Sequence, residues 1–363
     1  MKFIRSSVFK KYLLPGFVFQ SVVIAGGYGT GRELVEYFLQ YGPVGGILGM
    51  FLVTTLIWSL ILALSFEFSR KFKAYDYRTF FKKLLGPLWP VFEILYLLML
   101  FLVLAVIGSA AGVILKDNFG LPYMAGVCVM LAAVGFLTFK GGKIIENFLS
   151  SWSLLLYLTY GVFFAVSLFK FGPAVHKNLS FSLVKSGWAL GGFKYALYNM
   201  GIIPAVFFCL THIKKRKEAV TAGLAGGIIG ILPAFFFYMA VLGQYPEILP
   251  EAVPAIYVLK EINLPLLMIL FQAVLFGTLI ETGTGFIHAV NERVQASLQS
   301  RGKQLPRWMR PLIAAGLIAV SIGISSFGLI NLISKGYGSI SWGFFAVFII
   351  PLCTWGVYKL FRS

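Results

Sequence analysis

Long apolar runs separated by short polar segments dominate this chain. A membrane-spanning helix needs about 20 mainly apolar residues, and ten runs reach or approach that length. They lie at residues 12–40, 44–68, 87–115, 119–139, 146–170, 187–211, 219–243, 264–293, 310–329 and 337–360. The pattern predicts an all-α polytopic membrane protein of about ten transmembrane helices, in a single domain over residues 1–363.

Composition and charge support a membrane protein. Hydrophobic residues make up 59% of the chain and charged residues 12%, with a mean hydropathy of +0.86, which no soluble class matches. If the N-terminus is inside, segments predicted to be cytoplasmic hold 23 of the 31 Lys and Arg residues, and outer segments hold six. The net charge of +18 is therefore a topology signal that requires no nucleic-acid partner. We expect a multi-pass protein of the cytoplasmic (cell) membrane with both termini in the cytoplasm.

Three smaller features complete this picture. The first apolar run has no small-residue cleavage site before its glycines, so we expect a retained span and not a signal peptide. Cys128, Cys209 and Cys353 lie in apolar runs at spacings that indicate neither a disulfide framework nor a metal site. Residues 171–186 and 244–263 contain prolines and are expected to form outer loops.

The first apolar run is interrupted near its middle. Residues 25–36 read Ala-Gly-Gly-Tyr-Gly-Thr-Gly-Arg-Glu-Leu-Val-Glu. Each glycine weakens a helix interior by about 1 kcal/mol, and three charges, Arg32, Glu33 and Glu36, follow at once. Lipid tolerates neither a broken helix nor a charge unless protein or a water-filled cavity surrounds it. The segment therefore predicts a binding site at membrane depth.

The sixth run carries a second candidate break. Asn199, Gly201 and Pro204 fall near its centre, although a simple proline kink is the alternative interpretation. Runs one and six each open a group of five, and an odd number of spans gives the two groups opposite orientations. Matching interruptions predict an inverted-repeat transporter with a midplane site, with a first repeat at about 12–170 and a second at about 187–360.

Two motifs carry a family resemblance. Gly27-Tyr-Gly-Thr-Gly-Arg-Glu-Leu-Val-Glu-Tyr37 and Glu281-Thr-Gly-Thr-Gly-Phe-Ile-His-Ala-Val-Asn-Glu-Arg293 resemble the YkvI-like family of bacterial membrane proteins. The ten spans resemble the LeuT-type fold of the amino acid–polyamine–organocation superfamily. The resemblance implies a 5+5 inverted repeat with broken helices 1 and 6, and a transport role. It places substrate at Gly27, Tyr28, Gly29, Thr30, Gly31, Tyr198, Asn199 and Gly201.

Arg32 departs from the sodium-coupled pattern that the resemblance implies. Its guanidinium could take the place of a cation there, or bind a substrate carboxylate in bidentate fashion. Glu33 and Glu36 are candidates for ion coupling. In the alternative interpretation, one of them pairs with Arg32 and the charges neutralise each other.

The eighth run contains a second polar group, with Glu281 at the depth of the first break and Thr278 and Thr282 sharing one helix face. The resemblance implies a possible Na⁺ site formed by these three residues and by carbonyls near Ala25 and Gly26. A buried carboxyl is equally suited to carry a proton, and a structural Arg32–Glu281 pair is the third alternative. No cofactor other than such a coupling ion is expected.

These features predict a secondary active transporter of a small solute, such as an amino acid or a related amine, driven by H⁺ or Na⁺. The chain has no GxxxxGK[ST] motif for ATP binding, and no HExxH or GxSxG motif of an intramembrane enzyme. The alternative is a non-transporting sensor or germinant-type receptor with the same fold. The expected partners are the lipid bilayer and a small-molecule substrate.

Overall fold

A computed structural model describes residues 6–24, 26–140, 142–299, 302, 305–306 and 308–362. Helices make up nearly all of this described part. The α-helices are α1 (Leu14–Val23), α2 (Gly26–Gly29), α3 (Arg32–Tyr37), α4 (Pro43–Leu48), α5 (Thr55–Phe72), α6 (Tyr77–Leu85), α7 (Trp89–Phe119), α8 (Tyr123–Lys140), α9 (Gly142–Ser180), α10 (Trp188–Asn199), α11 (Arg216–Leu242), α12 (Pro254–Ile262), α13 (Pro265–Gln299), α14 (Met309–Ser325), α15 (Leu329–Asn331), α16 (Gly338–Phe344) and α17 (Val357–Arg362). Segments of 3₁₀-helix cover Leu39–Tyr41, Gly86–Leu88 and Met200–His212, and π-helical segments cover Phe9–Leu13, Gly49–Thr54, Leu332–Tyr337, Phe345–Ile349 and Leu352–Gly356.

The predicted all-α membrane architecture is confirmed. Within the described residues, seven helical stretches are long and apolar enough to cross a membrane: Pro43–Phe72, Tyr77–Phe119, Leu155–Ser180, Trp188–His212, Arg216–Leu242, Pro265–Gln295 and Leu329–Arg362. Tyr123–Thr138 and Met309–Ser325 are shorter apolar helices. The first predicted run is divided into pieces that are each too short to cross by themselves, so the count of ten stays a prediction.

Local sequence explains where the helices begin and end. Proline lies in the first turn of α4 and α12, where its missing N–H costs no helix hydrogen bond. Asp76 caps α6 by accepting a hydrogen bond of 2.8 Å from the backbone N–H of Thr79. The loop predicted at 171–186 is wrong over its first part, because α9 continues as helix through Pro173 to Ser180.

Small residues let α5 and α11 pack with their backbones in contact. A Cβ at Gly223 would overlap the backbone of Ala63, and one at Gly227 would overlap Ser59. The Ser59 hydroxyl also donates a 3.0 Å hydrogen bond to the Leu224 carbonyl. Glycines four residues apart on one helix face are a common basis of close packing in membranes. The contact joins the second run of each predicted repeat, and the repeat boundaries themselves stay a prediction.

The interrupted first run lies inside this bundle. Helix α1 packs against α11 and the 3₁₀ segment Met200–His212, and the single turn α2 packs against α7 and α13. Protein therefore surrounds the break on several sides, as a broken helix at membrane depth requires.

Candidate functional site

The first break consists of one isolated helical turn between two helices. Helix α1 ends at Val23, α2 forms a single turn, and α3 begins after Gly31. Gly31 has a φ of +78°, a left-handed conformation that glycine adopts without the penalty other residues incur. The interruption predicted at residues 25–36 is thus present. Ala25, predicted to offer a carbonyl to Na⁺, lies outside the described residues.

The chain itself binds two carbonyls at the break. The Gly27 carbonyl accepts hydrogen bonds from the Thr30 N–H at 3.3 Å and from the Thr30 hydroxyl at 2.6 Å. The Thr30 carbonyl in turn accepts from the N–H of Ala255, at 3.0 Å, in the first turn of α12. In this conformation the carbonyls of Gly27 and Thr30 are therefore engaged within the protein.

The glycines of the break provide room for the protein's own side chains. A Cβ at Gly27 would overlap the Glu33 carboxyl, and a Cβ at Gly29 would overlap the Tyr160 hydroxyl and a methyl group of Leu275. We expected these glycines to admit a substrate to the backbone. Here they admit neighbouring side chains, which close over the break from α3, α9 and α13.

Arg32 fastens the segment before α12 over the break. Its guanidinium donates hydrogen bonds to the Leu249 carbonyl at 2.7 Å, the Glu251 carbonyl at 2.9 Å and the Glu36 carboxylate at 2.7 Å. The side chain is buried, and its contacts join α3 to the segment before α12. Arg32 pairs with Glu36, so the alternative of an Arg32–Glu281 pair does not describe this structure.

Glu33 connects the first break to the sixth run. The Tyr198 hydroxyl at the end of α10 donates a hydrogen bond to the Glu33 carboxyl, and both residues are buried. Aromatic rings surround the contact, with the Tyr198 ring centroid 5.8 Å from that of Tyr37 and 4.8 Å from that of Tyr337. This contact joins the first break to the residue just before the sixth run changes helix type.

The interruption in the sixth run is a change of helix type. After Asn199 the α-helix gives way to a 3₁₀-helix, which continues through Pro204 to His212. The Asn199 side-chain amide donates a 2.9 Å hydrogen bond to the Tyr195 carbonyl, and Gly201 lies against the ring of Phe344. This run is overwound and continuous, unlike the first.

A cavity of about 640 Å³ lies on the side of the break opposite to the segment that Arg32 binds. It extends to Tyr77 and Arg293, on the side predicted to be cytoplasmic. Thr278, Glu281 and Thr282, the residues proposed for an ion site, all line it. The residues predicted to bind substrate, Gly27 to Arg32 with Tyr198, Asn199 and Gly201, are not among its described lining residues. The candidate residues therefore fall into an open group on α13 and a closed group at the break.

One face of α13 forms a continuous wall of the cavity. Glu281, Gly285, Ala289 and Arg293 recur every four residues and all line the cavity, along a strip that turns gradually around the helix. The rise of 1.5 Å per residue places Glu281 and Arg293 about 18 Å apart along the helix. The Thr278 hydroxyl donates to the Val274 carbonyl at 2.9 Å, so its oxygen lone pairs stay available as acceptors.

The structure adds aromatic residues that the motifs did not indicate. The Arg293 guanidinium carbon lies 4.1 Å from the ring centroid of Tyr77 and 3.7 Å from that of Tyr96, which are cation–π distances. Tyr157 on α9 lines the cavity with Glu281. These tyrosines come from three other helices, so only the tertiary fold brings them to α13.

Comparisons with known proteins agree with this fold, although no family model matches the chain. The chain is 23% identical over 349 residues to the uncharacterized membrane protein YkvI of Bacillus subtilis (strain 168), covering 90% of this chain and 92% of that protein. A mutant of the Eremococcus coleocola manganese transporter superposes with a TM-score of 0.57 at 16% identity, covering 94% and 78%. A Na⁺-coupled sialic acid symporter, in a substrate-bound outward-open state, superposes with a TM-score of 0.55 at 14% identity, covering 95% and 87%.

The predicted resemblance to YkvI and the predicted LeuT-like fold are both confirmed by these comparisons. At such identities the solved structures establish the fold alone. The roles of individual site residues stay predictions, and they rest on the geometry described above.

Proposed function

We propose that this protein is a secondary active transporter that moves a small amine-bearing solute, such as an amino acid, by alternating access with H⁺ or Na⁺ as the coupling ion. One observation carries the proposal. A cavity with Glu281 in its wall lies on one side of a broken helix, while Arg32 fastens the opposite side shut. Access from one side at a time is what a transport cycle requires.

The chemistry of the cavity favours an ammonium group as ligand. Glu281 supplies a carboxylate, and the hydroxyls of Thr278 and Thr282 supply further oxygen acceptors on the same wall. An ammonium has three N–H donors and no acceptor, so this combination matches it. The same oxygens suit Na⁺, which is why both coupling ions are kept in the proposal.

A divalent metal cargo fits the described residues less well, even though one structural neighbour is a manganese transporter. Among the described residues, no group of three His, Cys, Asp or Glu side chains lies close enough together to hold a metal ion. Glu281 alone would leave most of the charge of a divalent cation uncompensated. An organic cation carries a single charge and an apolar body, which the aromatic wall of Tyr157 and Phe286 can contact.

The test begins with a ligand and ends with transport. Purified protein is screened by thermal shift against amino acids and amines, and a ligand that stabilises it is then followed into proteoliposomes under a pH or a Na⁺ gradient. We expect gradient-driven uptake, and we expect Glu281→Gln to lower it by at least about thirtyfold, because losing one partner of a buried charge pair costs about 2–5 kcal/mol.

Glu261→Gln is the matched control, since it makes the same chemical change on an exposed residue of α12. We expect its uptake to equal that of the unchanged protein. Normal uptake by Glu281→Gln would remove that residue from the mechanism. Binding without uptake under either gradient would contradict transport and favour the receptor.

A further inference from the structure

A second groove lies away from the transport cavity, at the ends of several helices on the side predicted to be cytoplasmic. It measures about 660 Å³ and is lined by the end of α5, the end of α6 and helix α17. Four of its six lining residues are basic and none is acidic. They are Lys82, Lys83, Lys359 and Arg362, with Phe72 and Tyr358 between them.

Backbone carbonyls and aromatic rings hold these cations in place. The Lys359 ammonium donates to the Lys83 carbonyl at 2.5 Å, and the Lys83 ammonium donates to the Phe72 carbonyl. The Lys83 ammonium has three N–H donors, so its bond to one carbonyl leaves capacity for a further acceptor. The Arg362 guanidinium carbon lies 5.2 Å from the Tyr358 ring centroid. Like charges held this close repel one another, and an anion between them would relieve that repulsion.

The surroundings of the groove are apolar and exposed. On the last span, Trp355 is 50% exposed and Phe361 is 70% exposed, and Leu88 before α7 is 65% exposed. Aromatic residues at the end of a span are typical of the interface between acyl chains and headgroups. Lys82 lies 5.4 Å from the Trp89 ring centroid, so its charge is held beside this aromatic surface. A ligand in the groove would contact its cations, and exposed apolar side chains lie close by along the chain.

We propose that this groove binds the headgroup phosphate of an anionic phospholipid, whose acyl chains lie along the exposed face of the last span. Phosphate oxygens accept charge-assisted hydrogen bonds from lysine and arginine, the two basic residue types that line this groove. Basic pockets on the cytoplasmic side of membrane proteins are suited to such headgroups. A soluble phosphate shares the headgroup chemistry but makes no use of the apolar flanks.

The experiment compares two variants of equal charge. In the groove variant, Lys82, Lys83 and Arg362 are each changed to Gln. In the control variant, Lys214, Lys215 and Lys217, which are exposed in another basic segment, are each changed to Gln. The full chain is purified in neutral detergent, and retention of phosphatidylglycerol is measured by native mass spectrometry, with phosphatidylcholine as the uncharged reference.

We expect the groove variant to lose preferential binding of phosphatidylglycerol by at least about tenfold, and we expect the control variant to keep it. Equal losses in the two variants would overturn the proposal, because bulk charge would then explain binding. Inorganic phosphate that stabilises the protein as strongly as the lipid would also overturn it. The single variant Lys82→Gln should show a smaller loss in the same direction, should the triple variant fail to fold.

Discussion

The closed side of the first break and the cavity wall on α13 differ in how tightly their glycines are packed. On the closed side, Gly29 lies against Tyr160 and Leu275, and Arg32 ties α3 to the carbonyls before α12. On the cavity side, a Cβ at Gly285 of α13 would meet no described atom within 4 Å beyond its chain neighbours and its own helix backbone. The break is thus packed shut on one side, while the wall of α13 leaves the cavity on the other side open. In this state it is α13, rather than the backbone of the break, that offers groups to a ligand.

Removing the hydrogen bonds of Arg32 should have the largest effect on the closed side of the break. We expect Arg32→Ala to destabilise the protein by about 3 kcal/mol or more, because it removes three hydrogen bonds of a buried guanidinium and leaves the half-buried Glu36 carboxylate without its cation. The two carbonyls that Arg32 now binds would also lose their donor. The measurement is the free energy of unfolding in detergent. Arg32→Lys is the control, since it keeps the positive charge and loses the planar guanidinium. Its free energy of unfolding should fall between those of the unchanged protein and Arg32→Ala. An unchanged stability in Arg32→Ala would show that other contacts hold the segment.

Substitutions of Gly29 and Gly285 distinguish the packed side of the break from the open cavity wall. We expect Gly29→Ala to destabilise the protein by about 1–3 kcal/mol, because the added methyl group overlaps side chains in a packed region. Gly285→Ala adds the same atom to the cavity wall. It should be neutral or stabilising by up to about 1 kcal/mol, because alanine favours a helix interior. Similar effects of both changes on thermal unfolding would contradict the assignment of a packed and an open side.

Two tyrosine substitutions, each of which removes a single hydroxyl group, should have the smallest effect on the closed side. Tyr198→Phe removes the hydroxyl that donates to Glu33, and we expect a cost of about 1 kcal/mol. Within the described part of the chain, the buried Tyr160 hydroxyl has no hydrogen-bond partner, so Tyr160→Phe should change stability little. If both variants unfold at the same temperature, the Tyr198–Glu33 contact does not hold the two interrupted runs together.

The sequence predicted the helical architecture and the position of the break well, because both depend on local chemistry. Apolar length specifies a span, and four closely spaced glycines specify an interruption. The membrane depth of Glu281 was inferred from its place within a run and stays a prediction. Each of these inferences needs only a window of about 20 residues.

The partners of Arg32 could not be predicted in the same way. Two of its three acceptors are backbone carbonyls, at Leu249 and Glu251, more than 200 residues along the chain. Every residue carries a carbonyl, so no side-chain pattern marks these two. For the same reason the sequence did not reveal which side of the break is closed. The two tyrosines around Arg293 escaped prediction because they come from two other helices, α6 and α7.

The hydrogen bonds of Arg32 affect how strongly the protein would bind a solute that arrives from the closed side of the break. This side is covered by the segment that contains Leu249 and Glu251, and it is called the loop side here. A solute arriving there can bind only the fraction of molecules in which the Arg32 hydrogen bonds are broken, so its apparent affinity is reduced by that fraction. Hydrogen bonds to a charged group contribute about 1.5–3 kcal/mol, which corresponds to roughly tenfold to a hundredfold. In the proposed transport cycle, half-saturation would therefore need a higher concentration on the loop side than on the cavity side. The difference in half-saturating concentration between the two sides would then be set largely by the Arg32 guanidinium.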